Sequence, residues 1–204
     1  ARLVNPEKAG VPMRALAWVL RKISFWYVTL FRGTPLFVQI VIWAYVWFPF
    51  FVHPADGVLI SGEAAIDLRR SYGALIAGSL ALIANSGAYI CEIFRAGIQS
   101  IDKGQMEAGR SLGLTWGQTM RYIIMPQAFK AIIPPLGNEF IAMLKDSSLV
   151  SVIGFEELTR RGQLIIAKTY ASFEIWGTVA VIYLIMTVTI SQLVGYLERK
   201  YSIK

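Results

Sequence analysis

The chain has 204 residues, of which 55% are hydrophobic, 13% aromatic and only 16% charged, whereas soluble globular domains carry about 25% charged residues. Three uncharged runs, Gly33–Val52, Ser71–Cys91 and Ile175–Leu197, have 20, 21 and 23 residues, and a bilayer span needs roughly 20. This excludes an ordinary soluble domain and indicates an all-α integral membrane protein. The formal charge of +7 could suggest nucleic acid, but its distribution does not.

Lys and Arg number 6 in residues 1–32, 2 in 53–70, 5 in 92–130, 4 in 145–174 and 3 in 198–204. If consecutive loops alternate sides, the first, third and last groups hold 14 cations against 6 for the others. The positive-inside rule puts the richer set in the cytoplasm, so basicity here encodes orientation. Ala1 in place of Met, with no signal-peptide pattern, suggests that the numbering starts inside a longer protein. The lone cysteine, Cys91, excludes an internal disulfide and reads as a small buried hydrophobe.

Residues 12–32 place Arg14, Arg21, Lys22 and Arg32 within about 100° of one helical face, which predicts a helix on the membrane surface whose later part could enter the bilayer. Gly33–Thr34–Pro35 reads as a break, an N-cap and a first helical residue. The first span follows, its aromatic end suiting the outer interface. Residues 53–70 read as an external loop, where His53 is a solvated or interfacial histidine rather than a metal ligand. The second span runs inward from Ser71 to about Arg95. A more polar span covers residues 132–153, an external segment carries FEELTRRGQ, and the last span leads to a basic tail.

The polar span is the first candidate site. Ionisable groups at membrane depth are costly and usually face a bundle interior or a wet cavity. At 100° per residue, Asn138, Glu139, Ala142, Lys145, Asp146 and Leu149 share an arc of about 120°, which is what a solute path would need. The alternative is that Lys145 and Asp146 neutralise neighbouring helices or snorkel to the outer interface. On the second span Asn85, Tyr89 and Glu92 form a matching face with Gly78. Asn85 and Ser86 are equally readable as glue between helices. Candidate solute ligands are Asn85, Ser86, Asn138, Glu139, Asp146, Ser147 and Ser148, which could serve both ends of a zwitterion. Glu139 mildly favours a cationic amino acid. Glu92, Arg95 and Lys145 read as structural or gating charges.

The second candidate is DKGQMEAGRSLGLTWGQTMRYIIMP, residues 102–126. Asp102 and Gln105 suggest a variant capping box, Gly113 a left-handed helix end, and Thr115 with Gln118 a full capping box. The second of these two short helices should stop or kink near Pro126. A DNA-reading helix-turn-helix has similar grammar, but TWGQTMRYIIM offers one Arg and ends apolar. Docking to a cytoplasmic protein fits better.

Here the sequence resembles a known family. Glu107-Ala108-Gly109-x3-Gly113-x9-Ile123-x-Met125-Pro126 is similar to the EAA motif of ABC importer permeases, with Gly109 for Ala and Met125 for Leu. RGTPLFVQ, NSGAYICEIFRAGI, PPLGNEFIAMLKDSSLVSVIG and ELTRRGQ resemble, in order, the polar amino-acid uptake branch. The resemblance implies one type I permease transmembrane domain over 1–204, with 1–32 cytoplasmic or interfacial. It implies five transmembrane helices: four are visible, and the fifth would precede Ala1. Residues 102–126 would hold the coupling helix, with Glu107, Ala108, Gly109, Gly113 and Leu114 at the ATPase contact. Implied partners are ABC ATPase subunits, a second permease subunit, an extracytoplasmic amino-acid-binding protein or domain, membrane lipid and a polar amino acid, with no nucleic acid. The implied location is a bacterial or archaeal plasma membrane.

With no phosphate-loop motif in the chain, it is expected to be no enzyme and to bind no cofactor, ATP and Mg being handled by the partner. An ion-coupled secondary transporter is the rival reading, since intramembrane carboxylates also couple ions. The 102–126 knob is what such a carrier has no use for. A mere membrane anchor for an ATPase would not need the polar stripe.

Overall fold

The computed structural model describes residues 11–201. The first ten residues of the basic amino-terminal segment and the end of the basic tail lie outside that range. In chain order come α1 (Val11–Gly33), α2 (Leu36–Ile42), a π-helical turn (Trp43–Trp47), α3 (Phe48–Phe51), α4 (Gly62–Gln99), α5 (Lys103–Ser111), α6 (Trp116–Thr119), a second π-helical turn (Met120–Ile124), α7 (Met125–Asp146), a 3-10 segment (Ser147–Ile153), α8 (Leu158–Thr169) and α9 (Ser172–Tyr201).

α4 and α9 are long and apolar enough to cross a bilayer, and α1 with α2–α3 forms a third candidate bent by 107°. α7 fails that test on composition, as the polar-span reading anticipated. It packs against α4 on one side and α9 on the other. Small residues on α4 make the close packing possible: Ala77, Ala81 and Ala88 are fully or almost fully buried, and such side chains let helix backbones approach. Ile40 of α2 and Val150 of the 3-10 segment close against Ala81.

Several sequence expectations are corrected. Thr34 does not cap α2, whose N-cap position is held by Pro35 without a side-chain bond. The Thr34 hydroxyl donates instead to Leu30 O at 2.8 Å, closing α1 rather than opening α2. The external loop is shorter than 53–70, because α4 already begins at Gly62. Over 38 residues at 1.5 Å each, α4 is about 57 Å long and outruns the bilayer at its ends.

Pro126 does not stop the helix. The backbone stays helical from α6 through the second π-turn into α7. Pro126 lacks the N–H that Tyr122 O would have accepted, and a one-residue widening of the turn just before it absorbs the mismatch. The first π-turn stands in the same relation to Pro49. Finally, Cys91, expected to be a small buried hydrophobe, is exposed in the isolated chain.

Candidate functional site

The amino-terminal end of the knob is set by Asp102, whose side chain accepts from Gly104 N at 2.7 Å. Gln105 does not complete a capping box there. Its Oε1 accepts instead from Gln127 Nε2 at 3.2 Å, tying α5 to the start of α7. At the far end Gly113 adopts φ +82°. Its N–H donates to Arg110 O at 3.0 Å, and Leu114 N–H donates to Gly109 O at 3.2 Å. That bond pair is a Schellman closure, which requires the left-handed residue that only glycine supplies cheaply. The capping box expected at Thr115 and Gln118 is present with both bonds.

Gly109 explains how α5 docks. It is buried, and a Cβ there would lie 2.5 Å from Thr119 Cγ2. Thr119 itself has no exposed surface. The outward face of α5 is thereby fixed: Glu107, Ala108 and Gly113 are exposed, and Leu112 is 80% exposed. Leu112 is thereby held out from a corner that is closed at both ends. Leu112 and Thr119 are not singled out by the sequence.

The solute-path candidates divide. Across the α4–α7 contact, the Ser86 hydroxyl is a neighbour of the Glu139 carboxylate, and Asp146 follows about two turns further along the same face of α7. Ser86 is buried and Glu139 half-buried, while Asn138 and Lys145 are exposed in the isolated chain. Lys145 takes part in no ion pair among the described residues, so its expected pairing with an acid is not seen. The helical arc ends at Asp146. Beyond it the tighter 3-10 winding turns Leu149 into an apolar cluster, Ser147 donates back to Leu144 O at 2.7 Å, and Ser148 is half-buried.

Asn85 does something else. Its Nδ2 donates to Phe31 O and to Gln39 Oε1, both at 3.1 Å. Gln39 Nε2 in turn donates to Phe31 O at 2.8 Å, Thr34 O at 3.0 Å and Thr34 Oγ1 at 2.9 Å. Two buried amides thus satisfy the carbonyls left open where α1 breaks into α2. Gln39 was missed, although a lone amide inside the apolar run LFVQIVI is a usable signal.

The sequence matches, over residues 9–203, the family described as binding-protein-dependent transport system inner membrane component. It is 41% identical over 195 residues to the glutamine transport system permease protein GlnP of Escherichia coli, covering 96% of this chain and 82% of that one. It is 36% identical over 189 residues to the arginine transport system permease protein ArgU of Corynebacterium glutamicum, covering 90% and 57%. The fold superposes on the crystal structure of an amino acid ABC transporter with histidines at TM-score 0.73 and 41% identity, over 97% of this chain and 81% of that chain. It also matches the MetNI methionine ABC transporter at TM-score 0.66 and 21% identity, over 93% and 78%, a likeness of fold.

This chain belongs to that family. It is a multi-pass inner membrane permease subunit of an ABC importer, a membrane component and not the ATPase. The ion-driven carrier reading is not favoured.

In this permease the other charged groups also have visible work. Glu92 is paired with Arg95 and lies 3.6 Å from Arg32 of α1. The Arg32 guanidinium also stacks over Tyr89, 5.2 Å from its centroid. On this face of α4 the elbow thus buries Asn85 and engages Glu92, the structural charge expected there, while Tyr89 stays exposed beneath Arg32. In ELTRRGQ, Glu157 caps α8 by accepting from Thr159 N at 2.8 Å and Arg160 N at 2.7 Å. It also accepts from the Tyr183 hydroxyl of α9 at 3.1 Å.

Proposed function

We propose that this subunit carries polar amino acids inward, along a path in which Ser86, Glu139 and Asp146 face the solute, and that α5 receives the stroke of a separate ATPase. One observation carries the reading: α4 bears Ser86 at the α4–α7 contact and runs on, with only a short turn, into the exposed α5 knob. A displacement of the knob is therefore delivered to Ser86 along α4, and to Glu139 and Asp146 through α6 and the second π-turn along α7. Asn138, Ser147 and Ser148 belong to the neighbouring part of the path. Asn85 holds the elbow, and Glu92, Arg95 and Arg32 form an ionic latch beside it.

The names of the relatives support an amino acid as cargo, and Glu139 with Asp146 supports a ligand bearing an ammonium group. The knob and the carboxy-terminus lie in the cytoplasm by the charge count. An extracytoplasmic binding protein delivers solute, a second permease subunit completes the path, and ATP with Mg acts on the ATPase partner, since this chain has no phosphate-loop motif.

The test is reconstitution with the ATPase encoded beside it, screening amino acids for stimulated hydrolysis. Glu107→Arg and Gly113→Leu should abolish solute-stimulated hydrolysis while leaving the spans inserted. Unchanged stimulation in both variants would sink the coupling role.

A further inference from the structure

We propose that Arg14, Arg21 and Lys22 of α1 form a docking row for anionic phospholipid headgroups of the cytoplasmic leaflet. The inference rests on the topology above. α1 spans 23 residues and contains no acidic residue, so it is a cationic rod about 34 Å long. It turns from the following helices through 107°. With α2–α3 as the membrane-crossing arm, a bend of 107° lays α1 closer to the membrane plane than to its normal.

The faces of α1 are sorted. Tyr27 donates to Ala84 O of α4 at 2.7 Å, and Phe31 O takes the Asn85 amide. These residues set the protein side. At 100° per residue the three cations centre about 140° round the helix from them. Arg32 is committed to Glu92, but Arg14, Arg21 and Lys22 are exposed and none forms an ion pair among the described residues. Between the two sides Leu16, Val19, Ile23, Trp26 and Leu30 stand exposed, which a helix in water would not tolerate and acyl chains would cover. Trp18 lies within the cationic row, 59% exposed, with Lys22 Nζ 5.9 Å from its ring centroid. Indole rings at headgroup depth beside cations suit phosphate on one side and lipid on the other. Charge selects the lipid: each surface cation is worth about fivefold in preference for an anionic surface.

The test purifies the permease with its ATPase from membranes or from mixed phosphatidylglycerol–phosphatidylcholine vesicles and weighs the retained lipids by mass spectrometry. This readout does not depend on transport, so a wrong solute assignment would leave it intact. Arg14→Gln/Arg21→Gln/Lys22→Gln should lower the retained anionic-to-zwitterionic ratio about tenfold or more. Arg70→Gln/Lys168→Gln, placed on the opposite side by the charge count, should leave it unchanged. The charge-keeping set Arg14→Lys/Arg21→Lys/Lys22→Arg should retain wild-type preference, and strong salt should shed the lipid from wild type. Unchanged retention in the neutralised variant overturns the proposal, as does an equal loss in the control pair. Loss of the ATPase without loss of lipid would assign the row to a protein contact instead.

Discussion

A methyl group at Gly109 would stand 2.5 Å from Thr119 Cγ2 and 3.0 Å from both Ile123 Cδ1 and Thr119 Oγ1. In an open helix Ala is favoured over Gly by about 1 kcal/mol, but overpacking costs about 1–3 kcal/mol. Gly109→Ala should therefore lower thermal stability in detergent, and Thr119→Ser, which removes only the offending methyl, should recover much of the loss. Equal stability of Gly109→Ala and wild type would show that the contact relaxes freely. At Glu139 the expectation is functional. Removing a carboxylate that binds a ligand ammonium costs about 1.5–3 kcal/mol, so Glu139→Ala should raise the KM for a cationic amino acid about tenfold or more. It should spare membrane insertion and weaken preference for cationic over neutral solutes. Uptake of every amino acid at wild-type KM would remove Glu139 from the path.

At the scale of elements, the elbow between α1 and α2 is held by one amide on each neighbouring helix. Gln39 and Asn85 share both Phe31 O and a bond to each other, so their losses should not add. Each single change to Ala should cost about 1–3 kcal/mol by leaving buried groups unpaired. The double variant should cost clearly less than the sum, read from melting temperatures of the four proteins. Additivity within error would mean that the two amides act independently. The same logic of served backbone groups governs the two π-turns, each placed just before a proline, where they keep a helix running that would otherwise break.

For the whole molecule, α4 is the member that links the elbow, the α7 contact and the α5 knob. It meets α1 at the elbow, α7 where Ser86 neighbours Glu139, and the 3-10 segment through Ala81, and leads into α5. Orientation is the prediction that belongs at this scale. A cysteine placed in the short loop Val52–Ser61 should react with an impermeant thiol reagent only from outside, and one placed at Leu112 only from the cytoplasmic side. Both would be compared in a background with Cys91→Ala, because Cys91 is exposed in the isolated chain. Labelling of Leu112→Cys from outside would invert the topology and with it the coupling role of α5.

Composition, uncharged runs and capping residues are local properties, so the sequence alone determined that the chain is helical and membrane-embedded and that residues 102–118 form a capped corner with a left-handed Gly113. The EAA motif and its companions were also legible, because they depend on residue order alone. Which polar groups meet was not. Asn85, Ser86 and Glu92 are close along one helix, yet one serves the elbow, one faces Glu139 and one binds Arg32 and Arg95, a division decided by where α1 and α7 cross α4. Gln39, Thr119 and Tyr183 acquire their roles only from partners 46, 10 and 26 residues away along the chain. Periodicity gives the face a side chain occupies; only the packed bundle decides what stands opposite it.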